Sequence, residues 1–174
     1  QYVCTGWAMT GNDPVSGAGN TMTMTHTNNA SLTWLWNTNY LLGVAISGAG
    51  SVDVPGAWYP AGTNLSLTAT PSNGYMFVDW TGDIASTNNP LNLTMDQPYS
   101  VSANFNLSMY DVTATAPVGG TIAPTGATWV GHGSNVAYSI TPDANYHVTD
   151  VIVDGGSIGP TSSYTFLNVT NGGH

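Results

Sequence analysis

Nine Asp are the only acidic residues of the chain, and four of them form two pairs at one spacing, Asp79 with Asp83 and Asp150 with Asp154. A hard cation such as Ca²⁺ takes about six to eight oxygens and often recruits Asp from closely spaced turns. These four are therefore the candidate metal ligands; the expectation is no cofactor, with calcium as the alternative. The pattern is thin: no D-x-[DN]-x-[DN]-G loop occurs, and Asp154-Gly155-Gly156 equally suits a hairpin turn that needs positive φ. Glycoside hydrolysis would also need two carboxyl groups, one with a raised pKa, and nothing in the spacing marks such a pair. The four His, at positions 26, 132, 147 and 174, show no HExxH, and no G-x-S-x-G elbow is present. The expectation is a protein that is not an enzyme.

Other side chains point to binding or modification. Trp58, Tyr59 and Trp129 precede loops and are the candidate exposed aromatics for stacking on a sugar, with cell-surface polysaccharide as the partner that would use them. Trp34 and Trp36 share one face of one strand. Trp7, Trp36 and Trp80 stand at apolar positions expected to pack in a core. Five N-x-[ST] sequons, at Asn29, Asn64, Asn92, Asn106 and Asn168, are candidate glycosylation sites. Cys4 is the single cysteine, so an intrachain disulfide is impossible. It is either a small buried hydrophobe or one half of an intermolecular disulfide.

Charge removes whole classes of function. Lys, Arg and Glu are absent from all 174 residues, and the net charge is -9, whereas about a quarter of an average chain is charged. Nucleic acid is not an expected partner, because phosphates are neutralised by Lys and Arg. Nucleotide binding lacks its Lys and its Gly-rich motifs. No apolar run approaches the roughly 18 residues of a membrane span. Trypsin has no site to cut, and Lys–Asn isopeptide cross-links cannot form. No charged leader precedes an apolar stretch, so any signal peptide has been removed or the chain is part of something longer.

The elements that must position these residues alternate apolar and small polar side chains, as in Asn64 to Thr70, Pro90 to Met95, Tyr99 to Phe105 and Asn135 to Thr141. Period two predicts strands with one buried face. Gly-Ala-Gly, Pro-Gly, Asn-Gly and Asp-Gly-Gly punctuate them as turns, and no helical period of useful length appears. The chain reads as all-β.

The sequence also repeats. Thr70-Pro71 returns as Thr141-Pro142, Tyr75 as Tyr146, and Asp79 and Asp83 as Asp150 and Asp154, each 71 residues later. In the same register Leu65 and Leu67 fall on Val136 and Tyr138. Tyr2 to Trp7 has the spacing of Tyr75 to Trp80, and Met24 to Trp36 that of Leu93 to Phe105. The expected organisation is a half module over 1–39, a full module over 40–107 and a module lacking its last strand over 108–174. Such ends predict unpaired strand edges, which a continuing chain or a neighbouring subunit would cover.

Tyr59-Pro60-Ala61-Gly62-Thr63 leading into LSLTATP, then GYMFVDWTGD and PLNLTMDQPYSVSANF, resembles the divergent internalin B-repeat family. The segment from GGTIAPTGA through SITPDANYHVTDVIVDG to SSYTFLNVT is similar to a second form of that repeat, with Val151 where the Trp would be. The resemblance implies tandem, sandwich-like β-modules of about 70 residues in an elongated, secreted or surface-anchored prokaryotic protein. The functional expectation is a structural subunit of an extracellular filament, sheath or surface layer that polymerises with itself by strand completion or edge pairing. The alternatives are a stalk of a large adhesin and a carbohydrate-binding module of a secreted hydrolase.

Overall fold

Side chains that alternate in the sequence alternate in burial: in Leu91–Thr94 and from Val101 to Phe105 every second residue is buried. The computed structural model describes residues 1–174, all in strands, turns and irregular segments. β1 (Tyr2–Thr10), β2 (Ser16–Gly17) and β3 (Ser31–Ser47) come first. Then follow β4 (Gly50–Val52), β5 (Ala57–Pro60), β6 (Asn64–Leu67), β7 (Ala69–Pro71), β8 (Tyr75–Gly82), β9 (Leu91–Thr94) and β10 (Tyr99–Leu107). The last seven are β11 (Met109–Ala114), β12 (Gly120–Ala123), β13 (Gly126–Gly131), β14 (Val136–Pro142), β15 (Val151–Val153), β16 (Gly156–Gly159) and β17 (Ser163–Phe166). The fold is all-β, and the four alternating runs become β6 with β7, β9, β10 and β14.

The longest strand organises the largest sheet. β3 pairs antiparallel with β1 along residues 31–38, placing Trp34 opposite Trp7 and Trp36 opposite Cys4, with a register shift between Cys4 and Gly6. Further along, its residues 39–42 pair antiparallel with β5, and 42–47 pair parallel with β10, Leu42 opposite Tyr99. β8 flanks β10 on its far side, and β4–β7 and β6–β9 form separate two-stranded ladders. The expected boundary at residue 39 thus falls inside an unbroken strand.

Two compact units result, residues 1–70 with 77–104, and residues 71–76 with 105–174. In the first, Leu42, Leu67, Ala69, Trp80, Leu91, Leu93, Met95, Val101 and Ala103 are buried, as are Trp7 and Met9. Trp80 is fully enclosed, tilted against Phe77 at 5.8 Å, and its Nε1–H donates to the Asn88 carbonyl at 3.1 Å. In the second, β11 pairs β13, β14 lies between β12 and β17, and β15 pairs β16. Val112, Val130, Tyr138 and Val169 make its core, with Tyr110, Ile122, Val136 and Phe166 packed around them.

Trp36 departs from expectation. It aligns with buried Phe105 yet is 60% exposed, and Leu32 and Trp34 on the same face are 39% and 37% exposed. These three side chains lie in the part of β3 that pairs with β1, before the residues that pair with β5 and β10.

Asp53 ties β4 to the segment between β6 and β7. Its Oδ1 accepts the Thr68 N–H at 2.7 Å, and this bond, helped by the Thr68 hydroxyl, holds its pKa below the ordinary 3.8. A carboxyl whose folded pKa is lowered stabilises the fold above its unfolded pKa and loses that contribution as pH falls through the folded value. The stability difference between the parent and Asp53→Asn is therefore expected to be constant above about pH 5 and to shrink towards zero below 3.8. Urea midpoints of the two proteins measured from neutral to strongly acid pH check this; a difference that grows on acidification contradicts it.

Candidate functional site

The duplicated Asp pairs occupy equivalent sequence positions but not equivalent environments. Asp79, on β8, accepts from Asn104 Nδ2 at 2.7 Å, while Asp83 Oδ2 accepts the Ser100 N–H at 2.7 Å and the Asp83 N–H donates to the Ser100 carbonyl at 2.9 Å. Between them Gly82 sits at φ +106° with Ser100 O where a Cβ would be, which is why the strand can come so close. Asp150 Oδ1 instead accepts from Ser157 Oγ at 2.8 Å and from the Gly159 N–H at 3.0 Å. Asp154 takes φ 51° in the β15–β16 turn, ahead of Gly155 at φ 80°. Its Oδ2 accepts from His174 Nδ1 at 2.9 Å. Each carboxylate thus fixes local backbone or a neighbouring side chain, and no three His, Cys, Asp or Glu converge as a metal-ligand group.

The candidate stacking residues are similarly dispersed. Trp58 is 49% exposed and lies opposite Leu41; the adjacent Tyr59 points to the other face of β5, half-buried, its hydroxyl donating to the Pro55 carbonyl at 2.9 Å. The two cannot form one platform. Trp129, on β13 in the second unit, is 66% exposed opposite Asp111. Asn29, Asn64, Asn92, Asn106 and Asn168 are all exposed. Asn64 Oδ1 accepts from Thr94 Oγ1 at 2.6 Å, and Asn168 adopts φ 51°. Cys4 is half-buried, its Sγ 3.6 Å from the Gly6 and Gly19 carbonyls. His26 and His147 are exposed, and His132 Nδ1 lies 3.3 Å from the Tyr110 hydroxyl. Tyr99 donates to Asp96 Oδ1 at 2.8 Å, and that bond holds its phenol above the ordinary 10.0.

Sequence reasoning missed a cleft of about 400 Å³ in the second unit. Ile122, Tyr138, Ile140, Val151, Tyr164 and Phe166 give it apolar walls, and Asp150, Asp154 and His174 stand at its margin. The imidazole of His174 packs on Phe166 at 5.1 Å, and its carbonyl accepts the Thr113 N–H at 2.9 Å. One signal was available: Val151 stands where the first unit has Trp80, so an indole's worth of filling is missing. Also missed was Asn12, a buried polar residue whose Oδ1 accepts from the Thr27 N–H at 2.9 Å, the Thr27 hydroxyl at 2.8 Å and the Asn28 N–H at 3.1 Å. Its Nδ2 donates to the Asn28 carbonyl at 2.9 Å.

No curated protein and no solved structure matches the chain. Two consecutive segments, residues 40–108 and 110–172, match the sequence model of the divergent InlB B-repeat domain. The first of these takes in β4 to β10 and the second β11 to β17, so the repeat seen in the sequence and the strand series seen in the fold share one period. With the larger part of its length in two such repeats, the chain belongs to the divergent InlB B-repeat domain family.

Proposed function

We propose that the protein is a structural subunit of an extracellular assembly, a filament, sheath or surface layer, that polymerises through its strand edges. The family is typical of secreted and cell-surface proteins, and no helix here is long and apolar enough to cross a membrane. The observation that carries the polymer reading is the exposed apolar ridge of Leu32, Trp34 and Trp36 on β3. An uncovered ridge of this kind on a sheet is an association surface or an aggregation liability. Beside it Trp7 Nε1 is buried without an acceptor, whereas its counterpart in Trp80 has one. A chain free of Lys and Arg also offers trypsin-like proteases no bond to cut, which suits an exterior setting.

Negative-stain imaging with light scattering, with and without reductant and chelator, tests the reading. Ordered polymers are expected, growing more readily as salt screens the net charge of -9; loss of order with chelator would bring calcium in, and with reductant, Cys4. A uniform monomer under every condition defeats the proposal. It would favour the second reading, a stalk segment of a longer surface protein, which the tandem arrangement of repeats supports. Saturable binding of a polysaccharide that is lost in Trp58→Ala or Trp129→Ala would favour the carbohydrate-binding alternative.

A further inference from the structure

We propose that Asn73 is a self-modification site: its side-chain amide converts to a carboxylate, in part as an isoaspartyl linkage, and the change loosens a hydrogen-bonded seam of the second unit. The inference goes beyond the polymer reading above and does not depend on it.

Asn73 and Gly74 lie in the turn between β7 and β8, which the Tyr75 N–H closes by donating to the Ser72 carbonyl at 2.9 Å. Among the Asn residues only Asn73 and Asn171 precede a Gly, and a Gly has no Cβ to keep its backbone nitrogen away from the side chain before it. Asn12, Asn64, Asn89, Asn104 and Asn135 are held by side-chain hydrogen bonds. Asn73 is exposed and its amide makes none, and the Gly74 N–H has no acceptor. Both reacting groups are therefore free to meet.

The reaction needs water alone. The Gly74 nitrogen gives its proton to solvent and bonds to Asn73 Cγ; the Cγ–Nδ2 bond breaks, ammonia leaves, and a five-membered succinimide closes. Water then opens the ring at either carbonyl. One opening leaves an aspartate in the ordinary main chain, and the other routes the main chain through the side-chain carbonyl, which adds a methylene to it. The equivalent turn of the other repeat lacks this step, because Ala144 and Asn145 stand there, with Asn145 itself at φ 68° and followed by Tyr146.

The turn is held where a main-chain change is felt. The Gly74 carbonyl accepts the Ser108 N–H at 2.8 Å, and the Ser108 carbonyl accepts the His132 N–H at 2.9 Å. At φ +80° Gly74 presents its bare Cα to the imidazole, and a Cβ there would meet His132 Cδ2 at 2.4 Å. All of these residues belong to the second unit. A methylene inserted just before Gly74 must move its carbonyl off Ser108 or press its Cα into the ring. The new carboxylate also adds one more negative charge to a chain already at -9.

The test is a time course of the folded protein in warm, mildly alkaline buffer, where the Gly74 proton is most readily lost. Chymotrypsin frees Asn73 and Asn171 in separate peptides, and mass spectrometry reads amide-to-acid conversion in each. A protease that cuts before aspartate separates the aspartyl form, which it cleaves, from the isoaspartyl form, which it leaves intact. Asn73 is expected to convert with the isoaspartyl form among the products, and the Ser108 and His132 amides of the aged protein to exchange about tenfold faster, the factor that loss of one backbone hydrogen bond brings. The β12–β14 amides are expected to be unchanged. Asn73→Ser should neither convert at this position nor change its exchange on ageing, and fresh Asn73→Asp, which adds the charge without the methylene, should match fresh parent. A folded parent that keeps its Asn73 amide overturns the proposal, whatever happens at Asn171. Conversion with unaltered exchange at Ser108 and His132 overturns the loosening of the seam, and faster exchange already present in fresh Asn73→Asp overturns the part given to the isoaspartyl linkage.

Discussion

Trp80→Ala is expected to lower the unfolding free energy of the first unit by about 3–5 kcal/mol. The side chain has no solvent exposure, packs tilted against Phe77 and carries the hydrogen bond to the Asn88 carbonyl. Truncation removes the transfer free energy of the indole, leaves a cavity in the core of the first unit, and orphans a carbonyl. For a unit of this size each kcal/mol is worth about 4–8 °C of midpoint temperature, so the loss is large enough to leave the variant marginal at room temperature. Urea denaturation followed by tryptophan fluorescence and circular dichroism gives the number. Trp58→Ala serves as the control: being half-exposed, it should cost less than about 1 kcal/mol. Equal losses for the two would mean that β8 and β10 do not frame the core as described.

Asn12→Ala has the second-largest expected effect, about 2–3 kcal/mol, because burying a polar group without a partner costs about 1–3 kcal/mol and one side chain here serves several. Thr27 N, Thr27 Oγ1 and Asn28 N all lose their acceptor, and the Asn28 carbonyl loses its donor. Those bonds fix the chain between β2 and β3, over which no regular ladder runs. The check is twofold, a lower denaturation midpoint and faster amide hydrogen exchange at Thr27 and Asn28, with the β3–β10 amides unchanged. Unaltered exchange at Thr27 and Asn28 would show that water replaces Asn12 without cost.

Neither residue's importance was equally visible in the sequence. Trp80 stood out because it recurred as Trp7 at an apolar position of the repeat. Asn12 stood between Gly11 and Asp13 with no motif to single it out; its worth comes from Thr27 and Asn28, fifteen and sixteen positions away. The Asp pairs show the same limit from the other side. Duplication preserved their spacing, but Asp83 found the Ser100 backbone across β10 and Asp154 found a hairpin turn, because neighbours are set by strand pairing and not by spacing. The Asp154-Gly155 turn was legible, since positive φ at these residues is a local demand. Trp36 was misjudged because alignment with Phe105 reports the sheet a residue sits in, not the layer laid over it. The cleft escaped notice for a related reason: its walls come from β12, β14, β15 and β17, which only strand pairing brings together.

β3 runs unbroken for 17 residues, roughly 55 Å at the usual strand rise, and is gripped by β1 over its first part and by β5 and β10 over its second. A tension applied along its axis would load the ladder with β10 in shear, so that the hydrogen bonds from Leu42 to Ser47 must yield together, whereas a hairpin peeled from its end gives way one bond at a time. The strand is therefore built to behave as a tendon, stiff in extension and slow to fail, with the short ladders β4–β7 and β6–β9 as the parts that open first under the same pull.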